Sequence, residues 1–273
     1  MVVINKIIAP NPGPFTGEGT NTYLIGKNDI TLVDPGPAIN SHIDKILKVG
    51  NGNIKRILVT HTHQDHSPAA KDLFKILKVP VYGNYADDSI EIQDSSFKNT
   101  HHLVDQDKIS TKEYSIKIIH TPGHASNHFC FYVEENKFLL TGDHIMGGST
   151  VVIAPPDGCM EDYINSLKKI NKLEIKVIAP GHGDYIDNPH DLISWTINHR
   201  LKREKKVISK LKKLKQSNLE DLLKEVYDDV NVALHPIAIY SLQAHLLKLT
   251  NEKKVSYDHF KDIWSMISPE SHQ

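Results

Sequence analysis

The segment His61-Thr62-His63-Gln64-Asp65-His66 carries four side chains able to bind a metal ion within six positions. Three more candidates follow at wide spacing, in Thr121-Pro122-Gly123-His124, Thr141-Gly142-Asp143-His144 and Pro180-Gly181-His182-Gly183. Imidazoles and carboxylates together are the donor set of a borderline cation such as zinc. A chain with 17 histidines brings some of them close by chance, and a lone His is more often a surface or core residue. Four ligand types in six positions is a different pattern. His61, His63, Asp65, His66, His124, Asp143 and His182 also exceed what one tetrahedral ion can use. The simplest inference is two ions side by side, sharing one carboxylate.

Such ligands need elements that bring them together. Arg56 to Thr60 is predicted to be a buried strand feeding the cluster, and alternation then puts His61 and His63 on one side of extended chain. Ala69 to Leu77 follows as a helix. Further strands are predicted at Lys6 to Ala9, Thr22 to Ile25, Ile30 to Val33, Ser115 to His120, Phe129 to Val133, Lys137 to Leu140 and Lys176 to Ala179, with helices at Ser41 to Val49 and Cys159 to Ile170. Four strand ends therefore deliver candidate ligands, which is how a layered α/β sheet assembles one site from distant sequence.

From Asp187 on the texture is helical. Ile193, Ile197, Leu201, Ile208 and Leu211 recur at helical spacing. Ser217 is the expected cap of a helix over Asn218 to Tyr227, with Glu220 completing a capping box. A further helix is expected over Pro236 to Leu249, then a short hairpin or wing over Val255 to Trp264. Residues 199–216 hold nine basic residues against Glu204 alone, although the whole chain carries a net charge of only −1. Arg200, Lys202 and Arg203 are candidate contacts for an RNA backbone. The competing reading is the solvated face of an amphipathic helix.

Composition is that of an ordinary globular protein, large enough for one big domain plus an appendage. Two cysteines make no disulfide framework and favour a reducing compartment. The opening residues lack an export signal's apolar run, and no apolar stretch approaches a membrane span. A cytoplasmic location with no membrane contact is the expectation.

The set His61-x-His63-x-Asp65-His66 with His124, Asp143 and His182 resembles the metallo-β-lactamase superfamily. Asp34, in Val33-Asp34-Pro35-Gly36, matches that family's first motif, an acidic residue beneath the metals. The resemblance implies an αββα sandwich over residues 1–190, followed by a small helical, winged-helix-like region over 191–273. It assigns His61, His63 and His124 to one zinc ion and Asp65, His66 and His182 to the other, with Asp143 as the bridge. Manganese or iron suits the same donors. Two ions about 3.5–4 Å apart acidify a shared water, so that a bridging hydroxide forms near neutral pH, and they clamp the oxygen on which charge develops. Asp65 is implied as a catalytic proton acceptor.

Asn11-Pro12-Gly13-Pro14, Gly19-Thr20-Asn21-Thr22-Tyr23-Leu24, Tyr163-x-x-Ser166-Leu167 and His199-Arg200 narrow the resemblance to the LACTB2-like subfamily, which implies endoribonuclease activity on single-stranded RNA. Thr62 and Gln64 depart from its best-known members, which carry Trp and Arg there. An aspartate at 143 is similar to the superfamily's phosphodiesterases and thioesterases, whereas its β-lactamases carry Cys or Ser. Three functions are carried forward. A metallo-hydrolase of the RNA phosphodiester leads. A small-molecule thioesterase or lactonase of the glyoxalase II kind is second. A non-catalytic nucleic-acid-binding protein with a structural metal is third. His144 is expected to be structural, and His101, His102, His120 and His128 to be surface or packing residues rather than ligands.

Overall fold

Successive strand residues turn to opposite cores, as the two-residue period of a strand requires. In β2 (Asn21–Ile25), Tyr23 and Ile25 enter one apolar cluster and Leu24 another. In β8 (Phe129–Val133), Phe129, Phe131 and Val133 meet that first cluster while Cys130 faces the opposite way. The shared cluster is the interior of a sandwich. The computed structural model describes residues 1–86 and 92–267 of the 273.

One sheet runs β1 (Ile4–Ile8), β2, β3 (Ile30–Val33), β4 (Ile54–Leu58) and β5 (Val81–Tyr82), in that order. The other runs β10 (Val177–Pro180), β9 (Phe138–Gly142), β8, β7 (Ser115–His120) and β6 (Lys108–Ser110). Each sheet is mixed: β3, β4 and β5 are parallel, β9 and β10 are parallel, and the remaining pairs are antiparallel. Helices α1 (Asn40–Gly50) and α2 (Ala69–Leu77) cover the first sheet through Ile43, Ile46 and Leu73. Helix α3 (Met160–Ile170) covers the second through Ile164 and Leu167, joined there by the first turns of α4 (Pro189–Leu214) through Ile193. The expected αββα order is present.

The approach of α3 is close. A Cβ on Gly123 would stand 2.3 Å from Cα of Tyr163, and Gly123 has φ +141°. Glycine alone lets the loop that carries His124 lie on that helix.

Beyond the sandwich, α5 (Leu219–Val226) and α6 (His235–Asn251) pack with a small sheet of β11 (Gln216–Ser217), β13 (Ile263–Met266) and β12 (Val255–Asp258), ordered β11-β13-β12. The last two strands form the expected wing. The cap of α5 is Asn218, one residue later than expected, and its Oδ1 accepts from Asp221 N at 2.8 Å. Ser217 pairs with Trp264, and its Oγ donates to Asn218 O at 3.0 Å. Helix α4 belongs to both cores: Ile193 sits against the sandwich, and Val207 and Leu211 sit in the C-terminal cluster. The anticipated division near residue 190 falls at its first turn.

Candidate metal centre

The seven candidate side chains lie on four strand exits. His61 to His66 follow β4, His124 follows β7, Asp143 follows β9 directly and His182 follows β10. Asp34 stands at the end of β3 with φ 47°. Its Oδ1 accepts from Thr60 N at 2.7 Å, and its Oδ2 accepts from Thr60 Oγ1 at 2.8 Å and from His66 Nδ1 at 2.9 Å. One buried carboxylate thus holds both ends of the first motif.

His61, His63 and His124 form one group. Nε2 of His61 is 2.9 Å from Nδ1 of His63, and Nε2 of His124 is 3.2 Å from the same atom. The other ring nitrogens fix the tautomers. His124 Nδ1 donates to Val152 O at 2.8 Å. Thr60 Oγ1 gives its proton to Asp34, so at 3.0 Å it accepts from His61 Nδ1. Both Nε2 atoms therefore aim lone pairs at one nitrogen, which carries at most one proton. A cation at their meeting point satisfies all three.

Asp65, His66 and His182 form the second group. Asp65 Oδ2 lies 3.1 Å from His182 Nε2 and 3.4 Å from His66 Nε2. Asp143 spans the two groups: Oδ1 is 3.3 Å from His66 Nε2 and 3.4 Å from His182 Nε2, and Oδ2 is 3.8 Å from His124 Nε2. Buried atoms without a hydrogen-bond partner include His63 Nε2, His66 Nε2 and Asp143 Oδ1. Three overlapping sets of donor atoms, each within 4.8 Å, cover all seven residues. The residues fit a pair of divalent cations.

The electrostatics agree. Burial, reinforced by His124, pushes His63 down to about 3, so it stays neutral and able to ligate. Burial also opposes charge on His182, but Asp143 and Asp65 outweigh it and raise the ring to about 10. Burial would raise Asp65, yet His66 and His182 hold it at about 2. The second group is a place where positive charge is strongly favoured.

The supporting residues carry no ligand-type signature in the sequence, although Thr20 and Gly181 stand in its motifs. Thr20 Oγ1 donates to Asp65 Oδ2 at 3.2 Å. Gly181 is required because a Cβ there would stand 2.4 Å from Asp143 Oδ1; its place in Pro-Gly-His was the available signal. A network ties the mouth together: Asn127 donates to Thr62 Oγ1, Thr62 to Gln93, and Gln93 to Asp157. Such bonds between distant loops leave no periodic trace.

The five other histidines weighed in the sequence lie at packing or surface positions. His144 is buried against the rings of Tyr163 and His128 and lies outside the three donor sets. His128 is buried behind His61, His120 packs on Phe129, and His101 and His102 are exposed.

The expectation for the basic helix is corrected in two of three positions. Arg200 is buried and donates to Val151 O. Arg203 is buried, donates to Val226 O at 2.6 Å and pairs with Asp229 at 2.7 Å. Both guanidinium groups are spent on internal partners, because they sit on the packed stripe of α4 rather than its outer face. Lys202 is exposed. Nearby, Lys206 and Lys210 are neutralised by Asp228, Asp229 and Glu225.

The sandwich and its two-group site define a family, and the chain belongs to the metallo-beta-lactamase superfamily, whose pattern matches residues 15–182. It is a metal-dependent hydrolase of that superfamily. Residues 219–264 match the beta-lactamase associated winged helix domain. A Caenorhabditis elegans protein named beta-lactamase-like protein 2 homolog is 33% identical, covering 94% of this chain and 88% of its own. An Aspergillus chevalieri protein named atrochrysone carboxyl ACP thioesterase is 32% identical, covering 93% of this chain and 82% of its own. A metallo-beta-lactamase family protein from Thermus thermophilus shares the fold with a TM-score of 0.80 at 19% identity, over 97% of this chain and 98% of that one. Among the described residues no helix is long and apolar enough to cross a membrane.

Proposed function

We propose that this chain is a two-zinc hydrolase of ester-type bonds, with a thioester as the favoured substrate class and His61, His63, Asp65, His66, His124, Asp143 and His182 as the metal ligands. Two ions held by these residues supply Lewis acidity and a water that ionises near neutral pH. Asp143 reaches both groups and sets their spacing. Asp65 has 28% of its side chain exposed, the most open of the acidic ligands, and offers a proton acceptor at the mouth. Asp34 and Thr60 orient the rings from beneath. Manganese or iron in place of zinc is compatible with the same donors.

The observation that carries the substrate reading is the charge of the mouth. The loops that bear or flank the ligands, residues 11–20, 59–68, 92–97, 121–128, 143–158 and 181–187, contain no Lys or Arg, and the ammonium that reaches them from β1, Lys6, is bonded to Gly183 O and Asp184. They contain Glu18, Asp94, Asp157, Asp184 and Asp187, and Phe15 and Ile92 are exposed on them. A surface that grips a phosphate backbone is rich in cations, whereas this mouth suits an uncharged, partly apolar acyl group. The single-stranded RNA reading retains support from Asp143 and from the likeness to beta-lactamase-like protein 2 homologues, but two of the three basic side chains invoked for it are buried. The test is a panel on zinc-loaded protein: an acyl thioester, a lactone, a β-lactam, a simple phosphodiester and unstructured RNA. The thioester is expected to give the highest kcat/KM, abolished by a chelator. Faster cleavage of RNA that weakens with salt and with Lys202→Ala would replace this reading with the nuclease.

A further inference from the structure

Arg200 lies on α4, outside the second sheet, yet its environment leads into the site. It is 3% exposed, its guanidinium donates to Val151 O, and its Cζ sits 5.4 Å from the centre of the Tyr163 ring. The next residue, Val152, offers the carbonyl that accepts from His124 Nδ1 at 2.8 Å. Tyr163 in turn donates to His144 O at 3.0 Å, one residue beyond Asp143. Ser166 donates to Pro122 O at 2.9 Å, and Cys159 N donates to Gly123 O at 2.8 Å, so the same helix also holds the loop of His124.

The segment 151–154 belongs to no strand or helix. The side chains of Val151 and Ile153 are buried in the apolar cluster shared with α3 and α4, and what holds the Val151 carbonyl is a charged donor delivered from α4, the helix shared with the C-terminal core. A planar guanidinium clasped between a carbonyl and an aromatic face fixes that carbonyl more firmly than a flexible ammonium would. The orientation of Val152 O selects the His124 tautomer, and the partner of a ligating ring's far nitrogen tunes how well the near nitrogen binds.

We infer that Arg200 is a positioning residue for His124, acting through the Val151-Val152 peptide, so that the C-terminal helical region sets the metal affinity of the His61-His63-His124 group. The inference rests on the two-ion reading above. It gives the buried arginine a role in the site in place of the surface contact expected from the sequence. Arg203 is the internal control: it too is buried on the same helix, but its partners, Val226 O and Asp229, belong to the C-terminal region.

The test is stepwise zinc affinity of the full chain by chelator competition, for wild type, Arg200→Lys, Arg200→Met and Arg203→Met, each also in a His124→Ala background. Loss of a ligand's outer partner costs about 10–100-fold in affinity. Arg200→Met is expected to weaken one of the two ions by that factor and leave the other within about threefold, a range in which neighbouring effects stay small. Arg200→Lys should fall between wild type and Arg200→Met. The weakening should vanish once His124 is absent. Hydrogen exchange of the metal-free protein reads the same link without metal: residues 150–154 should exchange faster in Arg200→Lys and unchanged in Arg203→Met. Equal weakening of both ions, an unchanged affinity in Arg200→Met, or the same loss in Arg203→Met would overturn the inference while leaving the two-ion reading intact. Wild-type protein that takes up no divalent ion would overturn both.

Discussion

His66 donates from Nδ1 to Oδ2 of Asp34 at 2.9 Å, and this bond decides which nitrogen of the ring faces Asp65 and Asp143. Asp34 also accepts from Thr60, so its two oxygens serve three donors in a buried place. Asp34→Asn keeps the shape but turns one acceptor into a donor. We expect zinc affinity to fall by about 10–100-fold. Asp34→Ala should in addition destabilise the chain by about 3 kcal/mol, because buried donors lose their partner. Chelator competition and denaturant unfolding measure the two effects.

Gly181 approaches Asp143 too closely for any side chain, with the ideal Cβ 2.4 Å from Oδ1 and 2.7 Å from His66 Cε1. Gly181→Ala must displace the spanning carboxylate. A misplacement of about 1 Å costs on the order of 10²-fold in rate. We expect kcat to fall by about that factor, with circular dichroism unchanged, since the fault is local.

The metal-free chain should be most stable near neutral pH. His63 is held near 3, so the unfolded chain takes up protons that the folded one refuses, and stability falls as pH drops below the free-imidazole value of 6.5. His182 is raised to about 10, so its contribution is complete below 6.5 and lost as pH rises toward 10. Binding a cation displaces that proton, and zinc should remove the alkaline limb. Thermal unfolding across this range, with and without zinc, checks both limbs. Calorimetry in buffers of different ionisation enthalpy should detect proton release on zinc uptake at pH near 7.

Arg203→Met leaves Asp229 with Lys206 alone and opens the bonds to Val226 O and over the Tyr227 ring. Asp229 is more than half exposed, so the loss should be modest for a buried arginine, about 2 kcal/mol. Urea unfolding measures it. Turnover of the preferred substrate should be unchanged, since the residue touches only the C-terminal core.

The strands that deliver the ligands were legible because their apolar alternation is local and each ended in a motif. Ser115–His120 and Phe129–Val133 have the expected limits, and Asp34 accepts a bond from His66. What the sequence hid was direction. Arg200 and Arg203 look identical to Lys202 in a count of charge, and only packing shows that they face inward. Helix α4 belongs to two cores, so its basic residues do not lie on one solvated face. The cap of α5 is Asn218 rather than Ser217, which lies in a two-residue strand, a contact with residues nearly fifty positions away that no local signal carries. Thr20, Val152 and Gln93 support the site through single hydrogen bonds across loops, which depend on the assembled fold.

The most direct measurement is anomalous diffraction at the zinc edge from crystals of zinc-loaded protein. Two peaks are expected, one among His61, His63 and His124, the other among Asp65, His66 and His182, with Asp143 touching both. A single peak, or a pair that leaves Asp143 unbound, would contradict the two-ion centre.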